Sequence, residues 1–422
     1  MSLRAIYATD KRTAALCTRM SRVGFAWDAE RAAELAAALR GLEVTSTAAC
    51  CEAAGFELNP LSSKQLQRAF FEVLGAPVFF RSELTGSPSL GVDAMRGYAA
   101  LPDAKIRALA LSVLELRRAR KLRSTYLDAI VPGADGRVHP SWNSCGAVSG
   151  RWSCQAPGLM TLPNAAKDPT VKLGLGGIRS CYRAAPGHRL VAYDMSQLEM
   201  RIAAYASGDP TMIAACEGSD LHSANATVIF GAAFTECTDP VARKGLRTMA
   251  KSSGFAVCYM AEASTVFARL IAEGANVTLR QVEAMLAKMR RAFLTYYRWQ
   301  DAALLDTVRT GYVYTPILGR RRWLGHDPSP TECANFPIQG GAADYMNERF
   351  PEVVERCDAE GLGVEPVAQV HDSGVLEVPE EHVPRVCELV REVNARPIVI
   401  ASSGEPLSAV LPIDLEDSER WH

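Results

Sequence analysis

The stretch Leu190-Val191-Ala192-Tyr193-Asp194-Met195-Ser196-Gln197-Leu198-Glu199-Met200-Arg201 changes character at its midpoint. Its first four residues form a short apolar strand, and the residues after Asp194 read as the start of a helix. A carboxylate at that junction is well placed to hold a hard cation in a cleft. The same residues admit a plainer reading, because Ser196 and Glu199 match the Ser-x-x-Glu capping box.

Outward from this junction the chain changes texture. The first 130 or so residues read as helical. Asp28 is placed to N-cap a segment carrying Leu35, Ala36 and Leu39 that Gly41 stops. Ser62 or Ser63 caps a second helix with Leu66, Ala69, Phe70 and Val73 on one stripe, ended by Gly75 and Pro77. A third begins near Asp103 and carries Ile106, Leu109, Val113 and Leu116, then a basic run of Arg117, Arg118, Arg120, Lys121 and Arg123. Taken alone, that run is as readily a solvated helix face as a binding surface. Pro132, Gly133 and Gly136 mark a boundary, and Ser149 to Asn164 reads as loop. A mostly helical block follows the Asp194 strand to about residue 310, with Thr278 and Gln281 as a capping box heading its longest helix. The last hundred residues return to strands, notably Pro366 to Val378, with Gly374 as the hairpin turn.

The bulk numbers exclude little. The 422 residues allow one large domain or several smaller ones, and 48% apolar with 22% charged residues is ordinary for a globular protein. A net charge of -1 leaves nucleic acid open, since a polyanion needs a local basic surface, not a basic total. The 12 cysteines contain no Cys-x-x-Cys pair, which argues against a zinc knuckle. No signal peptide and no membrane-length apolar run is evident, so the expected setting is a reducing cytoplasm without membrane partners.

Two further constellations carry chemistry. Gln369-Val370-His371-Asp372-Ser373-Gly374 places an acid at the tip of a hairpin, by itself an ordinary turn aspartate. Paired with Asp194 in one cleft, it would make a site in which divalent ions relieve the repulsion of two carboxylates. Arg247, Lys251, Phe255 and Tyr259 step by four along one helix face behind Asp239 and Pro240. Two cations followed by two aromatics suit a ligand with phosphates at one end and a flat base at the other, or else a helix that packs its aromatics and solvates its cations.

The order of these three segments resembles motifs A, B and C of family A DNA polymerases. Ser149-Gly150-Arg151-Trp152-Ser153, Asp220-Leu221-His222, Gly319-Arg320-Arg321-Arg322, Asn335-Phe336-Pro337-Ile338-Gln339-Gly340 and Ala342-Ala343-Asp344 resemble further family segments, and Trp421-His422 its ending. The resemblance implies an α+β right hand whose palm is an antiparallel sheet and whose fingers are mostly helical. Its parts would be a thumb over 1–135, palm over 136–206 and 326–422, and fingers over 207–325.

The resemblance also implies roles. Asp194 and Asp372, with the Met195 carbonyl, would coordinate two Mg²⁺ ions, for which Mn²⁺ could substitute. His222, Arg247 and Lys251 would hold the triphosphate, and Phe255 and Tyr259 would bound the sugar and base. Glu199 would lie against the sugar's 2′ position and favour deoxynucleotides, a role that competes with capping. Arg151, Asn335, Gln339 and His371 would touch primer, template or minor groove, and Arg118, Lys121 and Arg123 would grip phosphates. The partners expected are primed template DNA, deoxynucleoside triphosphates and, beyond these, a separate exonuclease or processivity factor in a bacterial or virus-infected cell. With thumb-like sequence starting near residue 20, no room is expected in this chain for a proofreading or 5′-nuclease domain.

Three departures from the family pattern stand out. Ser373 replaces the usual glutamate after the motif C aspartate, as in single-subunit RNA polymerases, which makes RNA synthesis one alternative. A polymerase-like protein that binds DNA without catalysis is another, although both metal aspartates are present. Ala256 and Met260 stand where motif B usually has glycine, and Met195 stands where tyrosine is usual. Phe255, as phenylalanine, implies strong discrimination against dideoxynucleotides, an expectation that comparable use of dideoxy and deoxy substrates would overturn.

Overall fold

The structure, a computed structural model, describes residues 3–79, 81, 86–163, 168–218, 220–272, 275 and 277–422, without the side chains of Lys172, Ser252, residues 255–258 and Ala272. The described part is α+β, and its residues group into two compact units. One comprises Ala26–Val138, Thr161–Arg183 and Arg420–His422; the other comprises Met1–Phe25, His139–Met160 and Ala184–Glu419.

The smaller unit is built on two long helices, Ala29–Ala54 and Ala104–Tyr126. Asp28 caps the first by accepting from the Arg31 N–H, and Asp103 caps the second by accepting from Lys105 and Ile106. The first helix does not stop at Gly41. It runs on to Gly55, whose φ of +78° lets its N–H close on the Cys51 and Glu52 carbonyls. A glycine inside a helix costs only about 1 kcal/mol, and burial of Leu35, Leu39 and Cys50 on one face offsets that. Ser62 caps Ser63–Gln67, but Arg68–Val73 continues as a π-helix with Leu74 N–H on the Ala69 carbonyl. The wider turn rotates Val73 off the expected stripe, leaving it 48% exposed while Leu66, Ala69 and Phe70 are buried.

The larger unit holds a four-stranded antiparallel sheet. Its strands are β1 (His188–Met195), β2 (Glu365–Val370), β3 (Ser373–Pro379) and β4 (Ile413–Ser418), in the order β4-β1-β3-β2. Four helices matter for the site: α1 (Leu198–Ser207), α2 (Leu221–Phe230), α3 (Pro240–Cys258) and α4 (Pro330–Ala359). The last hundred residues are thus not chiefly strands, since α4 spans 30 of them and Val383–Ala395 is a further helix. The Asn335–Asp344 segment is helical despite Pro337, because burial of Phe336, Ile338 and Tyr345 outweighs one lost backbone bond. Part of Ser149 to Met160 is ordered: Ser153–Gln155 pairs with Ser141–Asn143, while Asn164 lies outside the described residues.

A hydrophobic core within the helical block gathers Met212, Leu221, Ile229, Val282, Met285, Phe293 and Tyr296. The Thr278–Gln281 capping box forms as expected, with Thr278 N–H on Gln281 Oε1 at 2.7 Å. It heads a helix of 14 residues, however, and α3 is longer at 19.

Candidate active site

The hairpin between β2 and β3 turns at His371–Asp372, not at Gly374. His371 takes the left-handed conformation at φ +57°, Ser373 Oγ donates to the Val370 carbonyl at 2.8 Å, and Gln369 Nε2 donates to the His371 carbonyl at 2.6 Å. Gly374 is a strand residue for a steric reason. A Cβ there would stand 2.8 Å from the Phe350 ring and 2.9 Å from the Tyr193 ring. This tight turn matters because of its register. Ser373 pairs with Asp194, and the Met195 N–H donates to the Asp372 carbonyl at 3.0 Å. Asp194 and Asp372, 178 residues apart in sequence, therefore sit at the same end of adjacent strands. Burial raises the Asp372 carboxyl above the ordinary carboxylate range, against the opposing pull of its own backbone N–H and of His371 and Arg151.

The capping box at Ser196 does not form. Gln197 stands at the N-cap with φ +57° and makes no capping bond, while Ser196 Oγ donates to Asp414 Oδ2 at 3.3 Å. The sheet pairing holds Ser196 in place of the helix, its N–H going to the Pro412 carbonyl. Glu199 instead accepts from Arg151 Nη2 through one oxygen and from the Tyr259 hydroxyl through the other. Arg151 is in turn held by its neighbours. Trp152 Nε1 donates to Asn347 Oδ1 at 2.7 Å, and Asn347 Nδ2 donates to the Gly150 carbonyl at 3.1 Å, so the Gly150–Trp152 segment is fastened to α4.

A second group forms where α2 meets α3. Asp220 caps α2, accepting from the His222 N–H at 3.1 Å and from Ser223 Oγ at 2.5 Å. The same carboxylate receives Arg247 bidentately, Nε at 2.7 Å and Nη2 at 2.9 Å. Arg247 holds the Asp220 carboxyl well below the usual carboxylate range. Burial, with Lys251 and Arg247 close by, lowers the His222 imidazole below its ordinary value. His222, Arg247 and Lys251 thus lie near one another, and Asp220, quoted in the sequence only as part of the Asp220-Leu221-His222 segment, is the partner of Arg247. The side chains of Phe255 and Ala256 lie outside the described residues. Met260 takes φ +51° just after α3 ends.

Asn335 and Gln339 are half-buried on α4. Arg320 joins Asp344 (Nε to Oδ1, 2.6 Å) and Asp10 (Nη2 to Oδ1, 2.5 Å), and the buried Asp344, on the same helix α4, also accepts from Thr315 Oγ1 and the Leu318 N–H. These motif residues are framework. In the smaller unit, Arg118 and Lys121 are exposed, whereas Arg123 pairs with Glu43 at 2.6 Å and with Asp128.

The donor chemistry at the strand ends, two carboxylates and a backbone carbonyl, suits a hard divalent cation. Among the described residues no group of three or more His, Cys, Asp or Glu side chains is gathered closely enough to hold a metal unaided.

The family model for DNA polymerase family A matches residues 29–422. The chain belongs to DNA polymerase family A. The thermostable DNA polymerase I of Thermus aquaticus is 31% identical over 399 residues, covering 90% of this chain and 44% of that protein. DNA polymerase I of Chloroflexus aurantiacus is 33% identical over 326 residues, 74% of this chain and 32% of that one. The chain therefore spans less than half the length of these curated relatives. The POL domain of Pol1 from M. smegmatis, solved in complex with DNA primer-template and dNTP, superposes with a TM-score of 0.81 at 24% identity, covering 98% of this chain and 70% of that one. This last likeness bears on the fold, which is that of a family A polymerase module. Family A DNA polymerases are generally metal-dependent.

Proposed function

We propose that the protein is a template-directed DNA polymerase that adds deoxynucleotides to a primer 3′-hydroxyl. The observation that carries this reading is the register of β1 and β3, which sets Asp194 and Asp372 side by side at one end of the sheet. In this reading the larger unit's sheet is palm, its helical block over 207–325 is fingers, and the helical region over 1–135 is thumb-like.

Asp194, Asp372 and the Met195 carbonyl would hold two Mg²⁺ ions. Bound there, the ions supply activation of the attacking oxygen and stabilisation of the leaving oxygen. The chain's own groups do the rest by position and charge. Arg247 and Lys251, with His222 beside them, face the triphosphate with two fixed positive charges. Once Asp220 yields Arg247, the guanidinium presents its paired N–H donors to phosphate oxygens. Glu199, held from both sides by Arg151 and Tyr259, presents a fixed edge to the sugar's 2′ position. A hydroxyl there meets a carboxylate that cannot swing away, so deoxynucleotides are preferred. Phe255 and Tyr259 would bound the base and sugar. Arg151, Asn335, Gln339 and His371 would contact the primer terminus and template, and Arg118, Lys121 and Arg123 the duplex phosphates.

A cytoplasmic setting, in a bacterial or virus-infected cell, is part of the proposal. The cysteines among the described residues are free thiols, and no described helix is long and apolar enough to cross a membrane.

The test is primer extension on a primed template with Mg²⁺ and either deoxy- or ribonucleotides, beside Asp372→Ala. Extension with deoxynucleotides that the variant loses is the expected result. Equal use of ribonucleotides would move the assignment to RNA synthesis, and binding of DNA without extension in any divalent metal would reject catalysis.

A further inference from the structure

Two short strands of the larger unit, Tyr312–Tyr314 and Arg321–Trp323, pair antiparallel as a ribbon. The register sets Tyr312 opposite Trp323, Val313 opposite Arg322 and Tyr314 opposite Arg321. Opposed residues project to one face and successive residues to alternate faces. Tyr312, Tyr314, Arg321 and Trp323 therefore share one face, and Val313 and Arg322 the other. Val313 is buried and Arg322 pairs with Glu332 on α4, which makes theirs the inner face. The outer face of such a ribbon is ordinarily polar, yet three of its four side chains here are aromatic. Trp323 is 57% exposed and Tyr314 41%.

Both ends of the ribbon are fixed. The Trp323 ring lies over Gly311, where a Cβ would stand 2.1 Å from it, and Tyr312 meets the same ring edge-on with centroids 4.8 Å apart. At the turn, the Thr315 N–H donates to the Arg320 carbonyl at 2.8 Å, and Arg320 is fastened to the buried Asp344 on α4. Rings held in this way lose little freedom when a ligand settles on them. The charge is one-sided as well. Residues 307–326 include Arg309, Arg320, Arg321, Arg322 and His326 and no acidic residue. Arg320 and Arg322 are engaged by Asp344 and Glu332, and Arg309 by Asp306 just outside this stretch. Arg321 is exposed on the aromatic face, its guanidinium over the Tyr312 ring at 5.6 Å.

We propose that this ribbon face is a DNA contact additional to the carboxylate site, a platform for the bases of a single strand. An exposed aromatic ring offers any base a stacking surface, and an arginine among the rings meets the phosphates between bases. Tyr314 and Trp323 are diagonal neighbours across the ribbon, about 7–8 Å apart, so successive bases of an unstacked strand take one ring each. A duplex gains nothing from the platform, because its base faces are already stacked on one another. The choice of DNA over RNA rests on the polymerase reading above; the stacking face does not, and binding there needs neither metal nor nucleotide.

The test is fluorescence anisotropy of labelled oligothymidylate with the full chain, in excess unlabelled blunt duplex that fills any duplex-binding cleft. Trp323→Ala and Tyr314→Ala should each weaken binding by about tenfold, the loss of one base–ring stack, and Trp323→Phe should keep most of the affinity. Arg321→Ala should reduce the slope of log affinity against log salt by about 0.7, the share of one phosphate on a single strand. The aromatic variants should leave that slope unchanged, and labelled blunt duplex should bind every variant as it binds the unmodified chain. Unchanged single-strand affinity in a folded Trp323→Ala/Tyr314→Ala chain, or an equal loss on blunt duplex, overturns the proposal. So does tighter binding of the matching oligoribonucleotide, which would make the face an RNA site. Self-association that the double variant abolishes, with single-strand binding intact, assigns the face to a second copy of the chain instead. Primer extension is read separately: a chain that extends no primer yet binds the oligonucleotide through these residues loses the polymerase reading and keeps the platform.

Discussion

In this structure Arg247 is occupied by a carboxylate, and on the proposed function a nucleotide would have to compete for it. Asp220 receives both Nε and Nη2, as a phosphate would. The pair is partly exposed, with side-chain accessibilities of 43% and 32%. Exposed ion pairs contribute about 0.2–1 kcal/mol, and the bidentate geometry puts this one near the upper end. If the contact must open before Arg247 engages a triphosphate, removing its charge should strengthen nucleotide binding by about 1 kcal/mol, or about fivefold. Asp220→Asn is the suitable change because asparagine caps a helix as well as aspartate does, so α2 keeps its start. The assay is single-nucleotide incorporation on a primed template, with the apparent nucleotide Kd read from burst rates. The gain should be constant across neutral pH. The Asp220 carboxyl is depressed by Arg247, so its charge is present above the ordinary carboxylate range and is lost only as pH falls below it. A Kd that rises in Asp220→Asn would refute the reasoning and make Asp220 a brace that aims Arg247, not a competitor for it.

On the proposed function, Glu199→Ala would remove the carboxylate set against the sugar's 2′ position. Discrimination between deoxy- and ribonucleotides, measured as the ratio of kcat/KM values, should fall by about tenfold or more, since a tenfold ratio needs only about 1.4 kcal/mol. Asp344→Ala leaves Arg320 without its buried partner and should cost about 3–5 kcal/mol in urea unfolding, whereas Asp10→Ala, at the more exposed end of the same guanidinium, should cost less. Arg118→Ala/Lys121→Ala should weaken DNA binding for all sequences alike and reduce the salt slope by about 0.9 for each phosphate that is no longer neutralised. Arg123→Ala should lower the melting temperature more than it lowers the slope, because Glu43 and Asp128 already occupy it. Equal slopes for both variants would remove Arg118 and Lys121 from the interface.

The sequence makes the members of the proposed site legible and leaves their connections obscure, for reasons that differ from residue to residue. Asp194 is readable because a strand ends and a helix begins beside it, and Arg247, Lys251 and Tyr259 because steps of four repeat on one helix. Such signals are local, and local periodicity survives folding. Gly374 reads as a turn because a glycine demanded by Phe350 and Tyr193 packing looks, in one dimension, like a glycine demanded by backbone conformation. The turn itself falls on His371 and Asp372, where the sequence does place an acid at the hairpin tip, but the positive φ is taken by His371 with no glycine to mark it. Ser196 and Glu199 match a capping box because spacing permits it, but capping is worth only about 1 kcal/mol. The alternatives available here are stronger: a sheet bond at the Ser196 N–H, and two charge-assisted hydrogen bonds to Glu199 from residues 48 positions before and 60 after it. Asp414, the partner of the Ser196 hydroxyl, gives no signal at all, lying between Ile413 and Leu415 as any outward strand residue would. What a carboxylate does here is decided by which residue lies across the rung or along the facing helix, and that is fixed only when the sheet is assembled.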